Sequence, residues 1–252
     1  MDPLQIGITV TSVMMFMIFF GMRVAFASAL AGTAGLVWIL STKLGLEKAM
    51  FAGLGMAGTI PHSKAVTYAL SILPMFILIG FLAFHAGLTK SLFEAAKRWL
   101  GRLPGGLAVA TVFATAGFAA VSGASTATAA VFARVAIPEM LKEGYNRRLA
   151  AGVVAAGGTL ATLIPPSAIL VIYAIIVEES VGQLLLAGFL PGIVSALIYG
   201  LIIVSIVSFK PEMGPKTRIY SFKEKMVSLP ATVPIFSVII IIFGSMYFGW
   251  AT

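Results

Sequence analysis

The sequence predicts an all-α integral membrane protein with multiple transmembrane helices, on three observations. The first is composition. Of 252 residues, 60% are hydrophobic and only 10% are charged, where a soluble domain carries about 25% charged residues. The second is distribution. Residues 3–22, 24–42, 65–89, 103–133, 149–177, 180–209 and 226–252 contain no Asp, Glu, Lys or Arg, and a helix crossing the hydrocarbon needs roughly 20 apolar residues. The third is periodicity. The strict alternation of a transmembrane barrel is absent, and backbone groups in lipid must then be satisfied within helices.

Charge narrows the function classes. The formal net charge is +8, but the basic residues stand in short clusters between apolar runs. That is the pattern of cytoplasmic loops, not of a nucleic-acid-binding face. Without cysteine there are no disulfides and no thiolate metal sites. The metalloprotease, P-loop and nucleophile-elbow motifs are missing, and His62 and His85 lie far apart with no acidic neighbour in sequence. The reading is therefore of a protein that is not an enzyme and needs no cofactor. The start has no basic n-region, only Asp2 before Pro3, so its first apolar stretch reads as a retained span, not a cleaved signal.

In chain order, residues 1–64 hold the N-terminal span or spans and a connector. The apolar stretch 3–40 is broken at Gly21-Met22-Arg23, which leaves one tilted helix or two shorter segments open. Residues 43–64 are milder and read as an interfacial connector. Residues 65–102 make a span, with Pro74 as an expected kink, followed by an amphipathic surface helix. In 89–102, Leu92, Phe93, Ala96, Trp99 and Leu100 recur at helical spacing, while Lys90, Glu94, Lys97, Arg98 and Arg102 point elsewhere. Such a helix lies in the membrane interface on an aromatic anchor.

Residues 103–178 carry the functional signal. The run 103–138 is too long for one membrane helix at 1.5 Å per residue. Its centre, Val121-Ser122-Gly123-Ala124-Ser125-Thr126-Ala127-Thr128, is small and polar, so two helices meet there at a non-helical tip. Lys97, Arg98 and Arg102 precede the hairpin and Lys142, Arg147 and Arg148 follow it; both flanks are expected on the cytoplasmic side. A polar tip favours a re-entrant hairpin, because irregular backbone at depth is tolerated where it lines a cavity. The next run, 149–177, is interrupted by Gly157-Gly158-Thr159 and by Pro165-Pro166-Ser167. It should lead outward to Glu178-Glu179, read as a solvated turn. Residues 179–252 hold further spans: 180–209 returns to a basic loop, 210–228, bearing Lys210, Lys216, Arg218, Lys223 and Lys225. Arg134 lies one turn before Pro138 and is read as snorkelling to the interface.

Two broken elements bearing small hydroxyl residues suit an ion-coupled transporter, whose substrate and coupling ion bind at discontinuous helices. Freed carbonyls and Ser or Thr hydroxyls form an oxygen cage for a small hard cation, and helix N-termini favour a carboxylate. Small residues at such spacing also serve tight helix packing. That competes well for the 122–128 cluster and poorly for a Pro-Pro pair within a span.

At this point three segments, LPGGLAVATVFATAGFAAVSGASTATAA, IPEMLKEGYNRRLAAGVVAAGGTLATLIPPS and LLLAGFLPGI, resemble the large membrane subunit of TRAP (tripartite ATP-independent periplasmic) transporters, of the DctM or SiaM type. The opening FFGMRVAFA is also similar to the family's start, which more often has Gly-x-Pro-Val-Ala-Phe. The resemblance implies an elevator-type transporter of inverted repeats in the bacterial cytoplasmic (inner) membrane. It implies import of a C4-dicarboxylate or sugar acid, driven by a sodium gradient. It implies a small four-helix membrane subunit and a periplasmic substrate-binding protein as partners. By motif, the sodium and substrate site would involve Ser122, Gly123, Ser125 and Thr128 at the tip. From the break it would take Gly157, Gly158, Thr159, Pro165, Pro166 and Ser167. Ala124 stands where the family often has Ser, and Ala161 where it often has Gly. Family members are usually nearly twice as long, so the chain is expected to be the N-terminal half, the first repeat, with an incomplete substrate site. Two further readings are another hairpin-bearing sodium/anion symporter and a non-transporting membrane scaffold.

Overall fold

A computed structural model describes residues 3–66, 70, 72–215 and 219–250. Lys216 and Arg218 of the expected basic loop lie outside the described residues, as does part of the expected span beginning at residue 65. Every regular element among the described residues is helical. The chain divides into two compact units, residues 1–67 and 68–252.

In the first unit, α1 (Pro3–Phe19), α2 (Val24–Leu44) and α3 (Leu46–Ala65) follow one another through tight turns. Gly21 at φ +89° and Gly45 at φ +78° supply the left-handed backbone that side-chain-bearing residues avoid. Of the two possibilities for 3–40, the chain therefore takes the broken one. The helices meet through small residues. Ala27, Ala31 and Gly35 form the buried stripe of α2, a Cβ on Gly35 would meet Val10, and one on Gly53 of α3 would meet Val37. Close approach of this kind is how apolar helices associate where lipid removes the hydrophobic drive. From Leu46 on, the segment read as a connector is one continuous helix, because Pro61 falls near its end and disturbs only the last turns. The 21-residue α2 is long and apolar enough to cross a membrane.

In the second unit, α4 (Ile72–His85) and α5 (Leu88–Leu100) are bent by 68° at a turn where Gly87 has φ +76°. Pro74 makes no kink: it stands in the first turn of α4, where its missing N–H has no partner to lose. The chain then forms α6 (Gly106–Ser122), α7 (Ser125–Lys142), α8 (Arg147–Thr159), a 3-10 turn (Leu160–Thr162) and α9 (Ala168–Val177). There follow α10 (Val181–Phe209), a 3-10 turn (Pro211–Met213), α11 (Phe222–Ser228), another 3-10 turn (Pro230–Thr232) and α12 (Val233–Tyr247). The 29-residue α10 and the continuous stretch Phe222–Ser245 are long and apolar enough to cross a membrane, as is the bent α4–α5 pair taken together. Large apolar side chains on these helices are widely exposed, Leu201, Phe209 and Ile240 among them. That is the surface of a membrane protein, whose solvent is hydrocarbon.

The core forms around α6. It is buried along nearly its whole length, from Leu107 to Ser122, and is packed by α4, α5, α7, α8, α10 and α12. Phe118 meets Phe132 of α7 edge-on, with ring centroids 6.0 Å apart. The amphipathic helix expected at 89–102 is α5, with one correction. Lys97 is turned inward and only 6% exposed, its charge held by Glu139 at 2.5 Å and Glu143 at 3.4 Å on and just after α7, whereas Trp99 stays 41% exposed. A buried ammonium is tolerable only when paired, and here the partners come from the far leg of the hairpin. Arg134 is exposed and Glu178 and Glu179 form an exposed turn.

Candidate functional site

The hairpin tip is two residues long. Gly123 ends α6 with φ +63°, its N–H donating to the Ala119 carbonyl at 3.1 Å. Ala124 is the extended N-cap of α7 and provides no side-chain cap; a Ser at that place would supply an acceptor for the first amides. The N-terminal amides of α7 thus open directly on the tip. Within it, the hydroxyls of Ser122 and Thr128 are buried and hydrogen-bonded to each other at 2.7 Å.

The break lies between α8 and α9. Gly157 and Gly158 are buried in the last turns of α8, and the two prolines then replace amide donors that a continuous helix would need. The Pro165–Pro166 peptide is cis. Ser167 restarts the chain as N-cap of α9: its hydroxyl donates to the Thr162 carbonyl at 2.8 Å and accepts from the Leu170 N–H at 3.3 Å. One buried side chain thus ties the two sides of the break together.

These two elements touch. The Ala168 N–H donates to the Gly123 carbonyl at 3.1 Å, and a Cβ on Gly123 would collide with the Pro166 carbonyl oxygen. A Cβ on Gly158 would lie 2.7 Å from that of Ala129 and 3.4 Å from the Ser125 carbonyl, and one on Gly157 would meet Thr115 of α6. Ser122, Gly123, Thr128, Pro166 and Ser167 therefore gather at one locus, where the N-termini of α7 and α9 converge. Gly157 and Gly158 let α8 close on the hairpin beside it, Gly158 against Ala129 and the Ser125 carbonyl. Thr159 behaves differently. Its side chain is exposed, donates to the Ala156 carbonyl at 2.7 Å, and faces the Tyr199 hydroxyl of α10 at 3.2 Å. Pro165 is buried in the turn.

Sequence reasoning missed the supports of this site. Gly80 of α4 lies under the tip, where an added Cβ would stand 2.8 Å from the Ser122 Cα. On α10, Gly188, Gly192, Ala196 and Gly200 make a buried stripe; Gly188 admits the Leu163 carbonyl and Gly192 admits Ile164. The stripe's spacing of four was the legible signal. Among the described residues no three of His, Asp and Glu come together, so a cation at the tip would be held by hydroxyl and carbonyl oxygens. Such ligands suit hard cations.

The profile of the family described as "Tripartite ATP-independent periplasmic transporter, DctM component" matches residues 11–252. The chain belongs to this family. The DctM assignment is supported by individual relatives. The C4-dicarboxylate TRAP transporter large permease protein DctM of Pseudomonas aeruginosa is 37% identical over 72% of this chain and 42% of its own length. The sialic acid TRAP transporter large permease protein SiaM of Vibrio cholerae is 30% identical over 92% of this chain and 52% of its own. The 2,3-diketo-L-gulonate TRAP transporter large permease protein YiaN of Escherichia coli is 32% identical over 68% and 38%. This DctM-family chain thus spans about half the length of the curated relatives it matches, and those relatives differ in substrate. The family is one of transporter permeases, not of enzymes.

Proposed function

We propose that this chain is the first repeat of a TRAP-type large permease, working in the bacterial cytoplasmic membrane in sodium-driven import of a small organic acid. The observation that carries the reading is the junction of Gly123 with Pro166 and Ala168. It brings two helix N-termini, the Ser122–Thr128 hydroxyl pair and the carbonyls of the tip and break to one place. The carbonyls and hydroxyls hold the sodium ion, and the N-termini favour the substrate carboxylate. The hairpin is re-entrant in this reading. Its first leg, α6, has 17 residues, about 25 Å at 1.5 Å per residue, short of the roughly 30 Å hydrocarbon core. Transport is of the elevator type, with the hairpin and break in the moving part. The substrate class, a C4-dicarboxylate or sugar acid, is drawn from the relatives' names. A periplasmic binding protein delivers it, and a small four-helix subunit supports the permease in the membrane.

The test is uptake into proteoliposomes holding the permease, its small subunit and the binding protein, with and without an inward sodium gradient. Uptake should need both sodium and the binding protein. The pair Ser122→Ala/Thr128→Ala should raise the sodium concentration for half-maximal uptake by at least about tenfold, the equivalent of one charge-assisted contact. Sodium-independent uptake would remove the coupling assignment. Unchanged sodium dependence in the variant would make these hydroxyls packing groups.

A further inference from the structure

We propose that the second unit carries a binding site for an anionic phospholipid, one acyl chain lying in a cleft between α5, α6, α10 and α12 and the phosphate resting beside Lys225 and Trp99. The inference goes beyond the transport reading and does not depend on it. The cleft measures about 600 Å³, within the range of built ligand pockets. Its walls are Trp99 on α5, Phe113 and Gly117 on α6, Phe189 on α10 and Phe236 on α12, and it reaches Ile164 in the break. Thr232 is the only hydroxyl among its lining residues, and that hydroxyl is already given to the Leu229 carbonyl at 2.8 Å. Only an apolar occupant suits such walls.

The rim tells which apolar occupant. Lys225 Nζ stands 5.9 Å from the centre of the Trp99 ring. Arg98 donates to the Glu224 carbonyl at 3.2 Å, which holds the basic residues of α5 and α11 on one edge. The Glu224 carboxylate turns back to accept the Ser221 N–H at 2.7 Å in its own capping box. An amphipathic aromatic under an ammonium is the arrangement of the headgroup level, and basic residues there attract anionic lipid. Depth agrees. The lining residues Leu229 and Ile239 are separated by about 15 Å of helix rise, half of the roughly 30 Å hydrocarbon core. That length matches an acyl chain in one leaflet. A protein segment would need neither the cationic rim nor that match. A chain bound there touches the first leg of the hairpin and the break together, so it would brace both.

The test reads Trp99 fluorescence in the full-length permease with every other tryptophan replaced, Trp38→Phe and Trp250→Phe among them, in nanodiscs containing phospholipid brominated along its acyl chains. Brominated phosphatidylglycerol should quench Trp99 saturably, at a bulk fraction roughly fivefold below that needed for brominated phosphatidylcholine, the weight of one basic residue near an anionic headgroup. Lys225→Gln should abolish that preference, and Ala96→Leu, which narrows the cleft, should weaken quenching by both lipids. Equal quenching by the two lipids, rising in proportion to their bulk fraction, would overturn the proposal and leave ordinary lipid contact. Absence of quenching by either would overturn it in favour of a protein segment filling the cleft. A preference that survives Lys225→Gln would overturn the headgroup assignment. The comparison of the two lipids on the unsubstituted Lys225 chain decides the main point even if a variant fails to fold.

Discussion

At Gly123 one added carbon decides whether hairpin and break can meet. Its φ of +63° already disfavours a side chain, and the Pro166 carbonyl occupies the place of a Cβ. Gly123→Ala should therefore cost about 2 kcal/mol or more, as strain plus overpacking, and lower the unfolding temperature in detergent. Gly55→Ala is the control: nothing lies within 4 Å of an added Cβ there, and in a helix interior the change should stabilise by as much as about 1 kcal/mol. Equal responses would mean that the tip is loosely packed. The importance of Gly123 was legible as a break in helix-forming sequence, because local chemistry sets it. The identity of its neighbour was not, since Pro166 is brought there by packing over 43 positions of chain. Thr159 illustrates the opposite limit: motif resemblance put it in the site, but the helical turn carries its side chain toward Tyr199.

At the scale of elements, the pair Lys97–Glu139 joins α5 to the outgoing leg of the hairpin, beyond the apolar runs. Burial works against the charge of Lys97, yet the hydrogen bond to Glu139 and the surrounding negative charge outweigh it and raise its pKa above 10.5. The hydrogen bond from Lys97 holds the Glu139 carboxyl below its usual 4.5. The signs set a window. The contribution of Glu139 is full above 4.5 and is lost as pH falls through the depressed value; that of Lys97 is full below 10.5 and is lost as pH rises through the raised value. Glu139→Gln should cost about 2 kcal/mol near neutral pH and flatten the acid limb of a plot of unfolding temperature against pH. An acid limb unchanged by the substitution would mean that other carboxylates govern it. The helical period of α5 predicted its apolar face correctly at Leu92 and Phe93. It assigned Lys97 to the wrong side, because an inward lysine is readable only when its distant partner is known. The small-residue stripe of α10 likewise acquires meaning only beside Leu163 and Ile164.

For the whole molecule, the question is on which side of the membrane each break and turn lies, and the basic clusters make a definite answer testable. Arg102 and Lys142 flank the hairpin and carry the sign of cytoplasmic loops, while Glu179 ends the broken run 149–177 without a basic neighbour. Residues 1–252 have no cysteine, so single cysteines can be introduced here without background from this part of the protein. With a membrane-impermeant thiol reagent, Arg102→Cys and Lys142→Cys should label only from the cytoplasmic side, and Glu179→Cys only from the opposite one. Labelling of Glu179→Cys from the cytoplasmic side would mean that α8, the break and α9 do not cross together. Thr126→Cys then separates the two forms of hairpin. Thr126 is exposed on the first turn of α7; two full spans would carry it into water opposite the flanks, to react as fast as Glu179→Cys. A re-entrant hairpin stops short of that surface, and the reaction should be slower by about tenfold or more, since a thiol at membrane depth is reached only through the cavity that the tip lines. The physical reason to expect the slow outcome is the tip itself. The Gly123 carbonyl accepts from Ala168, so the tip is joined to the middle of an interrupted run, not to its outer end, and whatever depth the break occupies the tip must share.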